Sequence, residues 1–498
     1  MKTSLVLSLF LLGIGAHGPV AMAQSPGAFT ATGNMAASRV GHTATLLLDG
    51  RVLIVGGFDD TSILSSAEIY NPATGTFAPA GNMTTARANH SATLLPSGKV
   101  LIAGGLTFDT SANLTSPVTS AELYDPATGT FTPTGNMASV QTGATLLTNG
   151  KVLMTGPSYY SILRAELYDP ATGTFALAGA FSSTSLENVG LATLLADGRV
   201  LVTNDWRYAG SGAAEVYDPG ADTFVTTGSL NLWDHDYAAT LLMNGTVLFV
   251  GNQENDLLSP ADVEVYDPAA GSFTIAGHSQ NPHFGSSATL LPDGTVLIAG
   301  SYSQLDCGGY VRPELDVRAE LYDSAAGTFS VTGDMTTPRY SHTATLLIDG
   351  TVLVAGGYSQ QGSACSSSPT QPTSSTEIYH PAVLVSAPAL FSLSGNGAGQ
   401  GAIWHSQTGQ IASADNPAFS GEALSMYTTS LAAGGVIPPQ VAVGGQLAGV
   451  LYFGAAPGYP GYYQVNFRVP SGVAPGPAVP VRLTYLSRPS NAVTIGVQ

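Results

Sequence analysis

The chain has 498 residues, of which only 10% are charged while 59 are Gly and 31 are Pro; Gly and Pro are the two poorest helix formers, which excludes a helix-rich fold. Its 44% of apolar residues supply ample core, which excludes disorder. Fifteen basic against 33 acidic residues leave a net charge of −18, so nucleic acid and anionic membrane surfaces are poor partners. What remains is an acidic, turn-rich, all-β protein.

Residues 1–23 read as a secretion signal. Lys2 supplies the positive end, Leu5 to Ile14 the apolar run, and Ala21-Met22-Ala23 a small-x-small cleavage site before Gln24. The apolar run is too short for a stop-transfer helix, and no later stretch is long and apolar enough to span a membrane. No Cys follows the cleavage site, so no lipoprotein anchor is implied. The mature chain is expected to be soluble and exported, either secreted or held in the periplasm or cell envelope.

Residues 24–382 repeat. An A-T-L-L strand start places its Thr at Thr45, Thr93, Thr145, Thr193, Thr240, Thr289 and Thr345. An E-x-Y strand follows, at Glu68, Glu122, Glu166, Glu215, Glu264, Glu320 and Glu377. An F-x-x-x-G element recurs at Phe29, Phe77, Phe131, Phe175, Phe224, Phe273 and Phe329. The period is roughly 50 residues. Asp49-Gly50, Asn149-Gly150 and their equivalents predict tight type I′ hairpins between strands one and two. Asp125-Pro126-Ala127-Thr128-Gly129 typifies a second turn, leading into the Phe-bearing fourth strand. Sevenfold recurrence assigns the Glu, Tyr and Phe columns to blade packing, because a single ligand site needs asymmetry.

Over residues 27 to 382 these units resemble the kelch repeat, with its Gly-Gly after strand two, its V-Y-D-P strand and an outer aromatic residue. The resemblance implies a seven-bladed kelch-type β-propeller. Phe29 precedes any A-T-L-L, and no Phe strand follows Glu377. Strand 27–33 is therefore expected to complete the last blade beside Thr376 to Tyr379, removing two sheet edges.

From residue 383 to 498 the period gives way to short strands such as Gln440 to Val443 and Tyr463 to Val469, a pattern that predicts a small β-sandwich. The segment is similar to an immunoglobulin-like module of large exported bacterial proteins, through Gly444-Gly445, Ala456-Pro457-Gly458, Gln464-Val465-Asn466, Val469-Pro470-x-Gly472 and Val493 to Gln498. That family implies export and no catalytic activity.

The loop entering strand one and the loop between strands two and three open on one face of a propeller. Blades one, two and seven carry Arg39, Arg87 and Arg339, then His42, His90 and His342, with Gly pairs Gly56-Gly57, Gly104-Gly105 and Gly356-Gly357, which reads as a regular, basic arc. Blades three to six replace the Arg column with Ser139, Glu187, Asp234 and His283. Their loops carry Tyr159, Tyr160, Asp205, Trp206, Arg207, Tyr208 and Tyr302. Aromatic faces combined with carboxylates suit a carbohydrate or a peptide. Asp234, His235, Asp236 and His283 are N/O donors on neighbouring blades but lack a ligand spacing, so no metal is assigned. Asn252 to Asp256 is a polar loop without the full calcium pattern. Cys307 and Cys365 fall in equivalent loops of blades six and seven, and export permits a disulfide between them.

A propeller followed by an immunoglobulin-like domain is also similar to the layout of galactose oxidase, a family that holds copper with two Tyr and two His, one Tyr being cross-linked to Cys. His342 and His405 match that layout. Asn89 stands where the cross-linked Tyr would be sought, and no Cys lies in the early blades, so no cofactor is assigned. No nucleophile elbow, P-loop, dinucleotide fingerprint or H-E-x-x-H motif is present. Two readings stand. The first is an exported, non-catalytic module that binds a protein or glycan through the loop face of blades three to six. The alternative is a carbohydrate-active enzyme, either an oxidase or a glycosidase or lyase, using Glu187, Asp205, Asp234 or Asp236 on that face.

Overall fold

A computed structural model describes residues 27–109, 114–156, 164–182, 189–204, 212–231, 238–251, 262–306, 311–360, 370–432 and 434–498. Among them every regular element is a β-strand, and no helix is long and apolar enough to cross a membrane. Seven four-stranded antiparallel sheets follow one another along the chain. The first is built by Thr43–Leu46, Val52–Val55, Ser66–Asn71 and Thr76–Asn82. The first strands of the sheets contact their neighbours in cyclic order, the strand Thr343–Leu346 of the seventh touching Thr43–Leu46 of the first. Second strands such as Val52-Leu53-Ile54-Val55 are buried on both faces, and read as unbroken apolar runs because a neighbouring sheet covers each side. The core is correspondingly divided between sheets: Leu53 and Val55 of the first pack with Val100, Ile102 and Tyr124 of the second.

The seventh sheet takes its outer strand from the other end of the chain. Ala28–Ala31 pairs antiparallel with Thr376–His380, Phe29 standing opposite Tyr379. The ring centroids of Phe29 and Tyr379 lie 4.9 Å apart, close to the 4.9 Å of Tyr70 and Phe77 and the 4.8 Å of Tyr124 and Phe131. The same aromatic clasp therefore holds the seventh sheet across the chain ends. A Cβ on Gly27 would fall 2.2 Å from the Tyr379 hydroxyl, so the chain can enter the sheet there only as glycine.

The hairpins between strands one and two differ from the expected type I′. In the first, Gly50 N–H donates to Leu47 O (3.0 Å) and Leu47 N–H to Arg51 O (2.8 Å). Gly50 alone is left-handed, at φ +85°, while Asp49 keeps a negative φ. This is a type I turn followed by a glycine bulge. Asp49 serves the turn through its carboxylate, which accepts the Arg51 N–H at 3.0 Å, rather than by tolerating a positive φ.

After the ring, the strands Ile403–His405, Ala423–Thr428, Tyr463–Arg468 and Gln446–Ala455 continue through Gln440–Val443 into Gly476–Tyr485 and its two neighbours, Arg488–Pro489 and Val493–Val497. Gln446–Ala455 pairs on both sides, and the bent sheet wraps one core containing Leu424, Met426, Val465, Phe467, Val481 and Ile495. This unit seats on the turns between strands one and two of the ring. Arg482 Nη1 donates to Leu48 O at 3.0 Å, Val436 N–H to Met243 O at 3.0 Å and Ala387 N–H to Ile348 O at 2.7 Å, while Leu486 packs against the cores between sheets five and six and between sheets six and seven. Among the described residues its contacts with the ring lie at this end.

Truncating Phe29 to Ala removes one ring of the seventh clasp and should cost about 3–5 kcal/mol. The expected result is a lowered melting temperature for the whole ring by calorimetry, whereas an unchanged transition would show that the N-terminal strand does not close it.

Candidate functional site at the loop end

The loop end is organised around the Glu of each E-x-Y strand. All seven are at most 4% exposed, and an isolated buried carboxylate is costly unless hydrogen-bonded. The chain arriving from the preceding sheet supplies the bonds. Ala36 and Ala37 donate backbone N–H groups to Glu68, Thr84 and Thr85 to Glu122, Ala138 and Ser139 to Glu166, and Thr336 and Thr337 to Glu377. Among the described residues, backbone N–H groups reach Glu215 from Ser182, Glu264 from Asn231 and Glu320 from Gln280.

The Arg column completes these sites and is not a surface feature. Arg39, Arg87 and Arg339 are 0–1% exposed and pair with Glu68, Glu122 and Glu377 at 2.9, 3.2 and 2.8 Å. Each Nη1 also donates to the carbonyl two residues before the Glu: Ser66 O, Ser120 O or Ser375 O. The expected basic arc is therefore interior. His283 is corrected in the same way. It is 2% exposed and its Nε2 lies 2.9 Å from Glu320 Oε2, so it occupies the Arg role in sheet six and does not face a ligand. Gln141 of sheet three does so less visibly, its Nε2 donating to Ser139 Oγ and to Arg164 O, both at 2.9 Å. Arg164 O is the equivalent of Ser66 O, and the substitution escaped notice because Gln141 stands two residues out of the Arg register.

His42, His90 and His342 link neighbouring sheets. Their Nε2 atoms share hydrogen bonds with Thr343 (3.0 Å), Thr43 (3.0 Å) and Ser287 (2.9 Å) of the preceding sheet. Each ring lies against a glycine there: a Cβ on Gly56 would meet His90 Cε1 at 2.8 Å, and one on Gly356 would meet His42 Cε1 at 2.6 Å. This explains the first Gly of the pair. Burial, reinforced by the Arg39, Arg87 and Arg339 charges, holds all three imidazoles at about 3, far below the usual 6.5.

Above this layer, five rings run across sheets six, seven and one. Phe284 and Tyr302 lie 5.4 Å apart, Tyr302 and Tyr340 4.7 Å, Tyr340 and Tyr358 5.0 Å at 23°, and Tyr358 and Phe58 6.1 Å. The backbone sets their spacing. The residue five before the A-T-L-L Thr bridges to the residue after the Gly pair: Val40 to Phe58, Phe284 to Tyr302 and Tyr340 to Tyr358. Sequence reading singled out Tyr302 alone. The signal for the others was this pair of columns, aromatic at both positions in sheets six and seven. Of the sequence-predicted candidates, Tyr159, Tyr160, Glu187, Asp205, Trp206, Arg207, Tyr208, Asp234, His235 and Asp236 lie outside the described residues, as do Cys307, Cys365 and Asn252 to Asp256.

Residues 39–84, from Arg39 through Glu68 and the Tyr70–Phe77 clasp, match the family model of the Kelch motif. The ring is a β-propeller that carries a Kelch motif. No curated protein matches the chain in sequence. Among solved structures it is similar to a fungal alcohol oxidase of the AA5 family in complex with copper, with a TM-score of 0.58 and 17% identity over 95% of this chain and 100% of that one. That likeness shows a shared fold.

The two His that match that layout are not brought together as copper ligands. Among the described residues no three His, Cys, Asp or Glu are grouped to hold a metal. His342 spends Nε2 on Ser287. His405 has both ring nitrogens engaged, by Glu422 at 2.6 Å and Asn416 O at 3.0 Å, in a unit seated at the other end of the propeller.

Two stability outcomes follow. Replacing Arg87 with Ala strands the Glu122 charge in the interior and should cost about 3–5 kcal/mol, read as a lowered urea midpoint. The three His, neutral when folded, take up protons on unfolding below about pH 6.5. Their contribution is complete above that pH and is lost as pH falls towards 3, by about 1.4 kcal/mol per unit for each ring. The urea midpoint should fall between pH 7 and pH 5, and less steeply in His90→Gln; identical slopes would assign the fall to other groups.

Proposed function

We propose that this chain is an exported, seven-bladed kelch propeller followed by an immunoglobulin-like sandwich, and that it is a non-catalytic module binding a protein or glycan at its loop end. The observation that carries this reading is the run of five rings from Phe284 to Phe58, four of them half-buried. Flat apolar faces edged by the hydroxyls of Tyr302, Tyr340 and Tyr358 match a ligand with alternating apolar and polar groups. The C-terminal unit leaves this end open. Interaction through such an end also accords with the Kelch motif match.

A carbohydrate-active enzyme at the same end is the second reading. It draws on the fold shared with the alcohol oxidase, and its carboxylates would come from Glu187, Asp205, Asp234 and Asp236. Elemental analysis of the purified protein, with assays for hydrogen peroxide release and sugar cleavage, separates the two; turnover or stoichiometric copper would replace the binding reading. For that reading, Tyr340→Ala and Trp206→Ala should each abolish ligand capture on glycan and peptide arrays while far-UV circular dichroism stays unchanged. Capture undiminished in both would remove the loop end from consideration.

A further inference from the structure

The C-terminal sheet carries a second aromatic surface, far from the loop end. Along Ala423–Thr428 the side chains of Leu424 and Met426 enter the core, as do Val465 and Phe467 along Tyr463–Arg468; alternation therefore puts Ser425, Tyr427, Gln464 and Asn466 on the outer face. Register then lines up Trp404, Ser425, Asn466 and Tyr452 in one row across four strands. Tyr427, Gln464 and Gly454 form the next row. Gly454 has a function here, since a Cβ on it would lie 2.8 Å from the Tyr452 hydroxyl, so its absence lets the Tyr452 ring lie down along the sheet. Trp404 and Tyr427 are 5.5 Å apart, and Tyr427 and Tyr459 5.8 Å. Tyr452 and Tyr459 remain 44% and 58% exposed, which is unusual for rings so close to a core. The contacts with the propeller run through Val436, Arg482 and Leu486, away from this face.

We propose that this face binds a soluble, neutral polysaccharide chain. Aromatic rings interleaved with amides complement a pyranose, whose C–H face is apolar and whose rim is hydroxylated. Gln464 Nε2 donates to Asn466 Oδ1 at 2.9 Å, which leaves the Gln464 carbonyl as an acceptor and the Asn466 amide as a donor for sugar hydroxyls. Charge selects the class. The one charged side chain at the outward positions of these strands is Arg468, which already donates to Gly421 O at 2.6 Å, and the chain's net charge of −18 repels acidic polymers. The rings are tilted by 66° and 56° to one another, so they suit a single twisted strand and not a flat crystalline surface.

The full chain is tested by native affinity electrophoresis in gels containing soluble β-glucan, xylan, galactomannan, starch or dextran, with polygalacturonate as the acidic control. Retardation is expected in at least one neutral gel and not in the acidic one. Tyr427→Ala and Tyr459→Ala should each weaken it about tenfold, Tyr459→Phe should retain it, and melting temperatures should be unchanged. Because Tyr459 is exposed, its variant keeps the test valid even if Tyr427→Ala unfolds. No retardation in any neutral gel, retardation strongest in the acidic gel, or retardation that survives both Ala variants overturns the proposal. So does retardation lost only with Tyr340→Ala, which would assign it to the loop end, or sedimentation showing that Tyr459 pairs two copies of the chain.

Discussion

A buried carboxylate that receives the incoming backbone is the interaction on which this molecule depends. In each sheet the third strand holds a Glu below the loop end, and the N–H groups of the connection from the preceding sheet converge on it. The bond is both local and angular: it fixes where the connection turns down into the first strand, and hence how each sheet is set against the last. What neutralises the carboxylate varies. Arg does so in sheets one, two and seven, and His283 lies against it in sheet six, while in sheet three the Ser139 hydroxyl donates to it and is itself held by the Gln141 amide. The constant element is therefore the acceptor, and the cation is a local solution to its burial.

This hierarchy explains what the sequence made legible. An all-β architecture of four-stranded antiparallel sheets was readable because strands, turns and clasps repeat, and repetition averages out the ambiguity of any one segment. The Glu column was readable as structural for the same reason. The Arg column misled because its residues sit in loops, where a charged side chain ordinarily faces water; nothing local reveals that Arg87 folds back to Glu122, thirty-five residues on. His283 misled for the converse reason, standing among irregular loop residues while performing the regular role. The hairpins were placed correctly, but their geometry was not, because Asp-Gly serves both a type I′ turn and a type I turn with a bulge. The five rings at the loop end were hidden by distance, since Tyr340 and Tyr358 come together only through pairing across a loop.

The two ends of the propeller have different tasks. One end is capped by the C-terminal unit, which rests on the tight turns through hydrogen bonds to the carbonyls of Leu48, Met243 and Ile348. The other end carries the row of rings above a layer of hydrogen-bonded Glu. Variation at that end is inexpensive, because the carboxylate layer beneath already fixes the sheets. This separation lets the loops differ among blades three to six while Tyr-Phe clasps of nearly constant spacing persist around the rim.

The pairing of Ala28–Ala31 with Thr376–His380 also imposes an order of events. Thr30 and His380 meet across 350 residues of sequence, so the backbone donors and acceptors of the N-terminal strand stay unmatched until the final repeat is in place. Contacts of such long separation form slowly, and an open sheet edge invites pairing with other chains in the interval. The strand is only four residues long, too short a template for such mispairing, and so the element that completes the circle is also one that can safely arrive early.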